Sequence, residues 1–144
     1  MNKVCSKAKC IKKVHAHGLC GPHVQKRRRK LNPNVDKQYE KTPKGFLMRL
    51  YRNMKSRITG VQKEKYHLYK GKYLLDKNVF YKWAEFHPAF VSLFNNYVSN
   101  SFPRKLSPSV DRINPDLGYT LENMEWVTMS ENSRRSSVTR KRLQ

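Results

Sequence analysis

Three cysteines and a histidine near the N-terminus, Cys5, Cys10, Cys20 and His23, have the types and spacing of a metal site. Three thiolates and one imidazole fill the tetrahedral shell of a structural zinc ion, and a shell closed by protein leaves no position for a substrate. Cys20 and His23 are separated only by Gly21 and Pro22, so both can reach one ion from a turn or a helix start. Gly18 and Gly21 permit the backbone turns such a site needs. His15 and His17, between the second and third cysteines, are alternative ligands. The competing reading is three unpaired cysteines beside an exposed histidine. Their clustering within the first 20 residues weighs against it, and a reducing cytosol disfavours a disulfide among them.

A second constellation lies toward the C-terminus and comprises Asp111, Arg112, Asn123 and Asn132. Val110 to Ile113 reads as a strand, Asn114 to Gly118 as a turn and Met124 to Val127 as a second strand. The segment Thr128-Met-Ser-Glu131 has the form of a capping box, so a helix is expected to follow. A carboxylate on a strand and an amide oxygen on a facing helix can hold Mg²⁺ or Mn²⁺ weakly, leaving positions for water and a phosphate oxygen. Such an ion polarises a scissile phosphate and stabilises the leaving 3′ oxygen. Arg112, adjacent to Asp111, is placed to clamp a phosphate or to offset transition-state charge. Taken singly, Asp111 reads as half of a surface salt bridge and Asn132 as a polar residue at a helix start.

The stretch from Ser107 to Asn132, and above all Asn123-Met-Glu-Trp-Val-Thr-Met-Ser-Glu-Asn132, resembles the HNH (ββα-metal, His-Me finger) endonucleases. The likeness is to the small homing-type enzymes encoded by bacteriophages, some with an N-terminal zinc-binding motif. Tyr69 to Trp83 and His87 to Phe94 look like the region that precedes the motif in phage members. The resemblance implies a hairpin and a helix clasping one divalent cation, with Asp111 and Asn132 as metal ligands and Asn123 bracing the hairpin loop. It implies hydrolysis of DNA phosphodiesters, by nicking or double-strand cutting. The family's general-base histidine falls at Arg112, which cannot accept a proton. Three readings follow. Asp111 or a metal-bound hydroxide serves as base; a histidine from elsewhere, such as His67 or His87, enters the site; or the chain binds DNA without cutting it.

Charge narrows the partner class. Lys and Arg number 31 against 10 Asp and Glu, a net charge of +21, which points to a polyanion. DNA, most readily double-stranded, is the expected partner, and no segment calls for an obligate protein partner. A non-catalytic nucleic-acid-binding zinc protein on a degenerate HNH scaffold has the same signature. An RNA-binding or ribosome-associated zinc protein explains the charge and cysteines but not the Asp111 to Asn132 arrangement. No apolar run approaches the roughly 20 residues of a membrane span, and the N-terminus lacks the apolar core of a signal peptide. The expected location is the cytoplasm, the host's if the chain is phage-encoded.

These residues require an α+β protein to position them: a small zinc knuckle, a helical and hairpin middle region, and a ββα-metal motif near the C-terminus. Residues 1–30 hold ten Lys or Arg and no acid, too little apolar surface to fold without a metal or partner. Arg27, Arg28 and Arg29 would present that charge to phosphates. Residues 31–43 read as a linker. In 44–100, Phe46, Leu47, Leu50, Tyr51, Met54 and Ile58 recur at helical spacing, while Arg49, Arg52, Lys55 and Arg57 suggest a basic outer face for DNA. Tyr66 to Tyr69 and Lys72 to Leu75 flank Lys70-Gly71 like a short β-hairpin. Asp76 is expected to cap one helix and Pro88 to open another. The ββα motif occupies 101–136, with Trp126 read as a core residue, and 137–144 is expected to fray as a basic tail.

Overall fold

The computed structural model describes residues 3–142, with side chains through Val138. It divides into two units, Met1–Lys41 and Thr42–Gln144. The first begins as a knuckle in which Val4 and Lys13 form an antiparallel bridge and Cys5 N–H donates to the Lys12 carbonyl at 3.0 Å. Helix α1 (Gly21–Leu31) follows with Cys20 as N-cap and proline in its first turn, where a missing N–H costs nothing. Its last turn carries Arg28, Arg29 and Lys30 beside the negative end of the helix dipole. The segment expected to be a linker contains a second helix, α2 (Val35–Glu40), and α1 runs one residue past the boundary at 30.

The second unit is built on aromatic packing. Helix α3 (Pro43–Ile58) is capped by Thr42, whose Oγ1 accepts from Gly45 N–H at 3.2 Å. Helix α4 (Lys77–Glu85) is capped by Asp76, whose Oδ1 accepts from Asn78 N–H at 2.8 Å, and α5 (Pro88–Ser99) opens on Pro88, both as expected. Phe46, Met54, Phe80, Ala84 and Phe90 from these three helices are all 2% exposed or less. They bury the apolar stripe that the sequence spacing defines, at roughly 1.5–3 kcal/mol for each large side chain.

Strands β1 (Pro108–Arg112) and β2 (Met124–Thr128) pair antiparallel with Val110 opposite Trp126 and Asp111 opposite Glu125. Alternation gives the pair two working faces. On one, Val110, Met124 and Trp126 are buried against the helices, with Trp126 stacked on Trp83 at 5.4 Å and packed on Phe90 at 4.8 Å. The other carries Ser109, Asp111, Glu125 and Val127 and lies under helix α6 (Met129–Arg142). Thr128 Oγ1 accepts from Glu131 N–H at 3.2 Å, which forms the forward half of the expected capping box. The Glu131 carboxylate goes instead to Arg134 and Arg135. Because α6 continues to Arg142, the segment expected to fray is helical from 137 to 142, and the last two residues lie outside the described residues.

The hairpin expected at 66–75 does not form. Lys63–Leu68 is a 3₁₀ turn, and Tyr69 and Lys70 N–H groups both donate to the Tyr66 carbonyl. Gly71 turns the chain at φ +73°, and residues 73–75 pair with Tyr119 instead of returning on 66–69. Tyr119 N–H donates to the Tyr73 carbonyl at 2.8 Å and Leu75 N–H to the Tyr119 carbonyl at 3.1 Å. The approach is so close that a Cβ on Gly118 would lie 2.2 Å from the Tyr73 oxygen.

Candidate functional site

In the first unit the side chains of Cys5, Cys10, Cys20 and His23 converge, with all four donor atoms within 4.8 Å of one another. His23 Nδ1 lies 3.1 Å from Cys5 Sγ and 3.3 Å from Cys20 Sγ, and the Cys10 and Cys20 sulfurs are 3.7 Å apart. A tetrahedron with metal–sulfur bonds of about 2.3 Å has an edge of about 3.8 Å. The group therefore has the size and donor set to hold a metal ion such as zinc. Local structure explains the convergence: Cys20 caps α1 and His23 lies three residues on, so both share one face of its first turn. Cys5 and Cys10 reach the same point from the bridged turn, where Ser6 N–H donates to the Gly18 carbonyl at 2.9 Å. Burial acts to raise the Cys5 thiol, but hydrogen bonds from the Cys20 and Lys7 backbone, and from His23 and Cys20, hold it down to about 6. His15 and His17 are exposed and outside the cluster, which leaves His23 as the fourth donor. Among the described residues, Leu19 and Val24 supply the apolar packing around the donors.

In the second unit the hairpin loop is tied by Asn123, which is 5% exposed. Its Oδ1 accepts from Asn114 N–H at 2.8 Å, and its Nδ2 donates to the Asn114 and Gly118 carbonyls at 3.0 and 2.8 Å. One amide thereby serves the Asn114 N–H and the Asn114 and Gly118 carbonyls of the loop, using both of its donors and one acceptor position.

Asp111 and Asn132 share the sheet face under α6. Asn132 Nδ2 donates to Ser109 Oγ at 2.8 Å and to the Val110 carbonyl at 3.4 Å. Asp111 Oδ1 accepts from the backbone N–H of Arg112 at 2.9 Å, and Oδ2 pairs with Arg135 at 3.4 Å. Arg135 also binds Glu125 and, at 2.8 Å, Glu131. Hydrogen bonds from Arg134 and then Arg135 hold the Glu131 carboxyl down to about 2, while bonds from Glu131 and Glu125 raise Arg135 further above its ordinary value. Glu125 and Arg135 were not among the residues singled out by sequence. Glu125 follows from strand register, because it lies directly opposite Asp111. Arg135 follows from helical spacing, being three residues beyond Asn132 on the face that meets the sheet.

Arg112 does not stand beside Asp111 as the sequence suggested, because successive strand residues face opposite ways. Its guanidinium carbon lies 4.2 Å from the Tyr69 ring centre and 5.6 Å from that of Tyr119, and Nη1 donates to the Leu117 carbonyl at 3.0 Å. His87 is likewise committed elsewhere. It caps α5 by accepting from Ala89 N–H at 3.2 Å and packs on Trp83, on the helical side of the sheet and not on the face that carries Asp111. His67 is exposed on the 3₁₀ turn.

The expected basic face of α3 is also incomplete. Lys55 and Arg52 are exposed, and Arg49 is half-buried with its guanidinium 5.1 Å from the Phe46 ring centre. Arg57 turns inward, donating from Nη1 to Tyr119 Oη at 3.3 Å. It lies three residues beyond Met54 and seven beyond Leu50, so a helical wheel places it on the inner stripe. Arg27, Arg28 and Arg29 are exposed on α1, with Arg29 paired to Asp36 at 3.0 Å. No described helix is long and apolar enough to cross a membrane. Comparison with family models, with curated proteins and with solved structures returned no match to this chain.

Proposed function

We propose that the chain is a divalent-metal-dependent DNA endonuclease of HNH type with a structural zinc ion in its first unit, acting in the cytoplasm of its cell or, if phage-encoded, of the host. The observation that carries this reading is the sheet face under α6, where Asp111 and Glu125 stand directly opposite each other with Asn132 above the same strand. Like charges directly opposite on a sheet repel, so this pair requires a cation. Hard oxygen donors of this kind suit Mg²⁺ or Mn²⁺, and Asp111, Glu125 and the amide oxygen of Asn132 are the groups that would hold it. When bound, such an ion supplies Lewis-acid polarisation of a phosphodiester.

The remaining work falls to the chain's own residues. Asn123 fixes the loop between the strands and so the position of Asp111. With Arg112 and His87 turned to the other face, Asp111 and Glu125 are the groups on this face that can take a proton from water. Arg27, Arg28 and Lys55 offer exposed positive charge to DNA phosphates. Arg29 joins them at little cost, since its partner Asp36 is itself exposed and such pairs contribute little.

One observation favours the second reading, a non-catalytic nucleic-acid binder on the same scaffold. Arg135 already provides the cation that the Asp111 and Glu125 pair needs. Nicking of supercoiled plasmid separates the two. The endonuclease converts it to open circle with Mg²⁺ or Mn²⁺ and not with EDTA, and Asp111→Ala abolishes conversion. Wild type that binds plasmid yet never nicks it with any divalent ion is the binder.

A further inference from the structure

The two arginines that leave their expected places, Arg57 of α3 and Arg112 of β1, arrive at the same place. Their guanidinium carbons lie 5.8 and 4.2 Å from the centre of the Tyr69 ring. Tyr119 joins them, its ring stacked on Tyr69 at 6.1 Å and 12° and its Oη accepting from Arg57 at 3.3 Å. Among the described residues neither arginine is paired with a carboxylate. Arg57 Nε is buried with no hydrogen-bond partner, and a buried donor left unmade is costly. Two positive charges at one aromatic pair, one half-exposed and one with an orphaned N–H, form a site short of an anion.

We propose that Arg112, seated on the Tyr69 ring and backed by Arg57, binds one backbone phosphodiester of DNA at the end of β1, on the face of the hairpin opposite Asp111. The proposal rests on the nucleic-acid-binding reading above and adds which residues grip the strand. Arg112 is the direct donor, since its Nη1 serves the Leu117 carbonyl and its other N–H groups remain for phosphate. Arg57 acts behind it as a positioning residue, holding Tyr119 through its Oη and adding positive charge. The ring electrostatics agree: burial acts to raise the Tyr69 phenol, yet Arg57 and Arg112 bring it below its ordinary value, so an anion is favoured there. Guanidinium groups on aromatic faces are also well suited to phosphate, because the ring holds the fork in place.

The test is duplex affinity across a salt series with full-length protein. Arg112→Gln is expected to weaken binding on the order of tenfold. It should also reduce the slope of log K against log salt by about 0.9, the signature of one lost phosphate contact. Arg57→Met should lower the same slope and Arg57→Lys restore part of it, which a purely structural role for Arg57 does not predict. Because Arg57→Met perturbs a buried position, the wild-type arginine side-chain N–H signals are followed by NMR as well, and those of Arg57 and Arg112 should shift on adding duplex. Wild type that fails to bind duplex overturns the nucleic-acid reading itself. Wild type that binds, with Arg112→Gln matching it in affinity and slope, overturns this site alone. Shifts produced by inorganic phosphate but not by duplex overturn the assignment to a DNA backbone.

Discussion

The two units of this chain are held by different physics. In Met1–Lys41 the buried cluster is Cys5, Leu19 and Cys20, so its core is largely the donor set itself. In Thr42–Gln144 a dozen buried side chains, most of them aromatic or large and aliphatic, surround the hairpin before any ligand is considered. A unit stabilised by a ligand has its fold set by that ligand's concentration, whereas a unit stabilised by packing does not. The difference predicts which perturbation reaches which half.

The largest effect expected is metal loss from the first unit. Cys20→Ala should abolish stoichiometric zinc in metal analysis and remove native dispersion from the amide signals of residues 3–31, while those of residues 43–128 stay in place. Retained zinc and an intact knuckle would show that the four residues are not the ligand set. In the second unit the counterpart is Asn123→Ala, which strands the Asn114 and Gly118 backbone groups. A loss of about 3 kcal/mol in denaturant unfolding is expected, with zinc content unchanged. Gly118→Ala should cost about 2 kcal/mol in the same assay, because its Cβ meets the Tyr73 backbone.

The smallest effect concerns pH. The Glu131 carboxyl is held at about 2 by Arg134 and Arg135, below its unfolded value. Its contribution is full above the ordinary carboxylate range and is lost as pH falls toward the folded value. Thermal unfolding of wild type and Glu131→Gln should therefore converge on acidification from about pH 5 to about pH 2. A gap that widens would reverse the sign assigned here.

The contrast also explains what the sequence could disclose. Cys5, Cys10, Cys20 and His23 were legible because thiolates and imidazole at short spacing have few other uses, and only the fourth donor stayed open until His15 and His17 proved exposed. The hairpin was legible as two short strands about a loop, and Asn123 does tie that loop. Side-chain direction was harder to read. Arg112 lies one residue from Asp111 in sequence and on the opposite face in space. Arg57 looked like surface charge because its type outweighed its position on the inner stripe. Residues 66–75 had hairpin composition, but the partner of Leu74 is Tyr119, a non-local pairing that no window of sequence contains. Glu125 and Arg135 meet Asp111 through register and helix face, and both become visible once the strands are aligned.

The most direct measurement takes DNA affinity and plasmid nicking from the same preparation of Asp111→Ala. If the α6 face of the hairpin is a cleavage site, that variant binds duplex within about twofold of wild type, since the lost group contacts no phosphate, and its nicking in Mg²⁺ or Mn²⁺ falls to background. Nicking at the wild-type rate by Asp111→Ala would contradict the account.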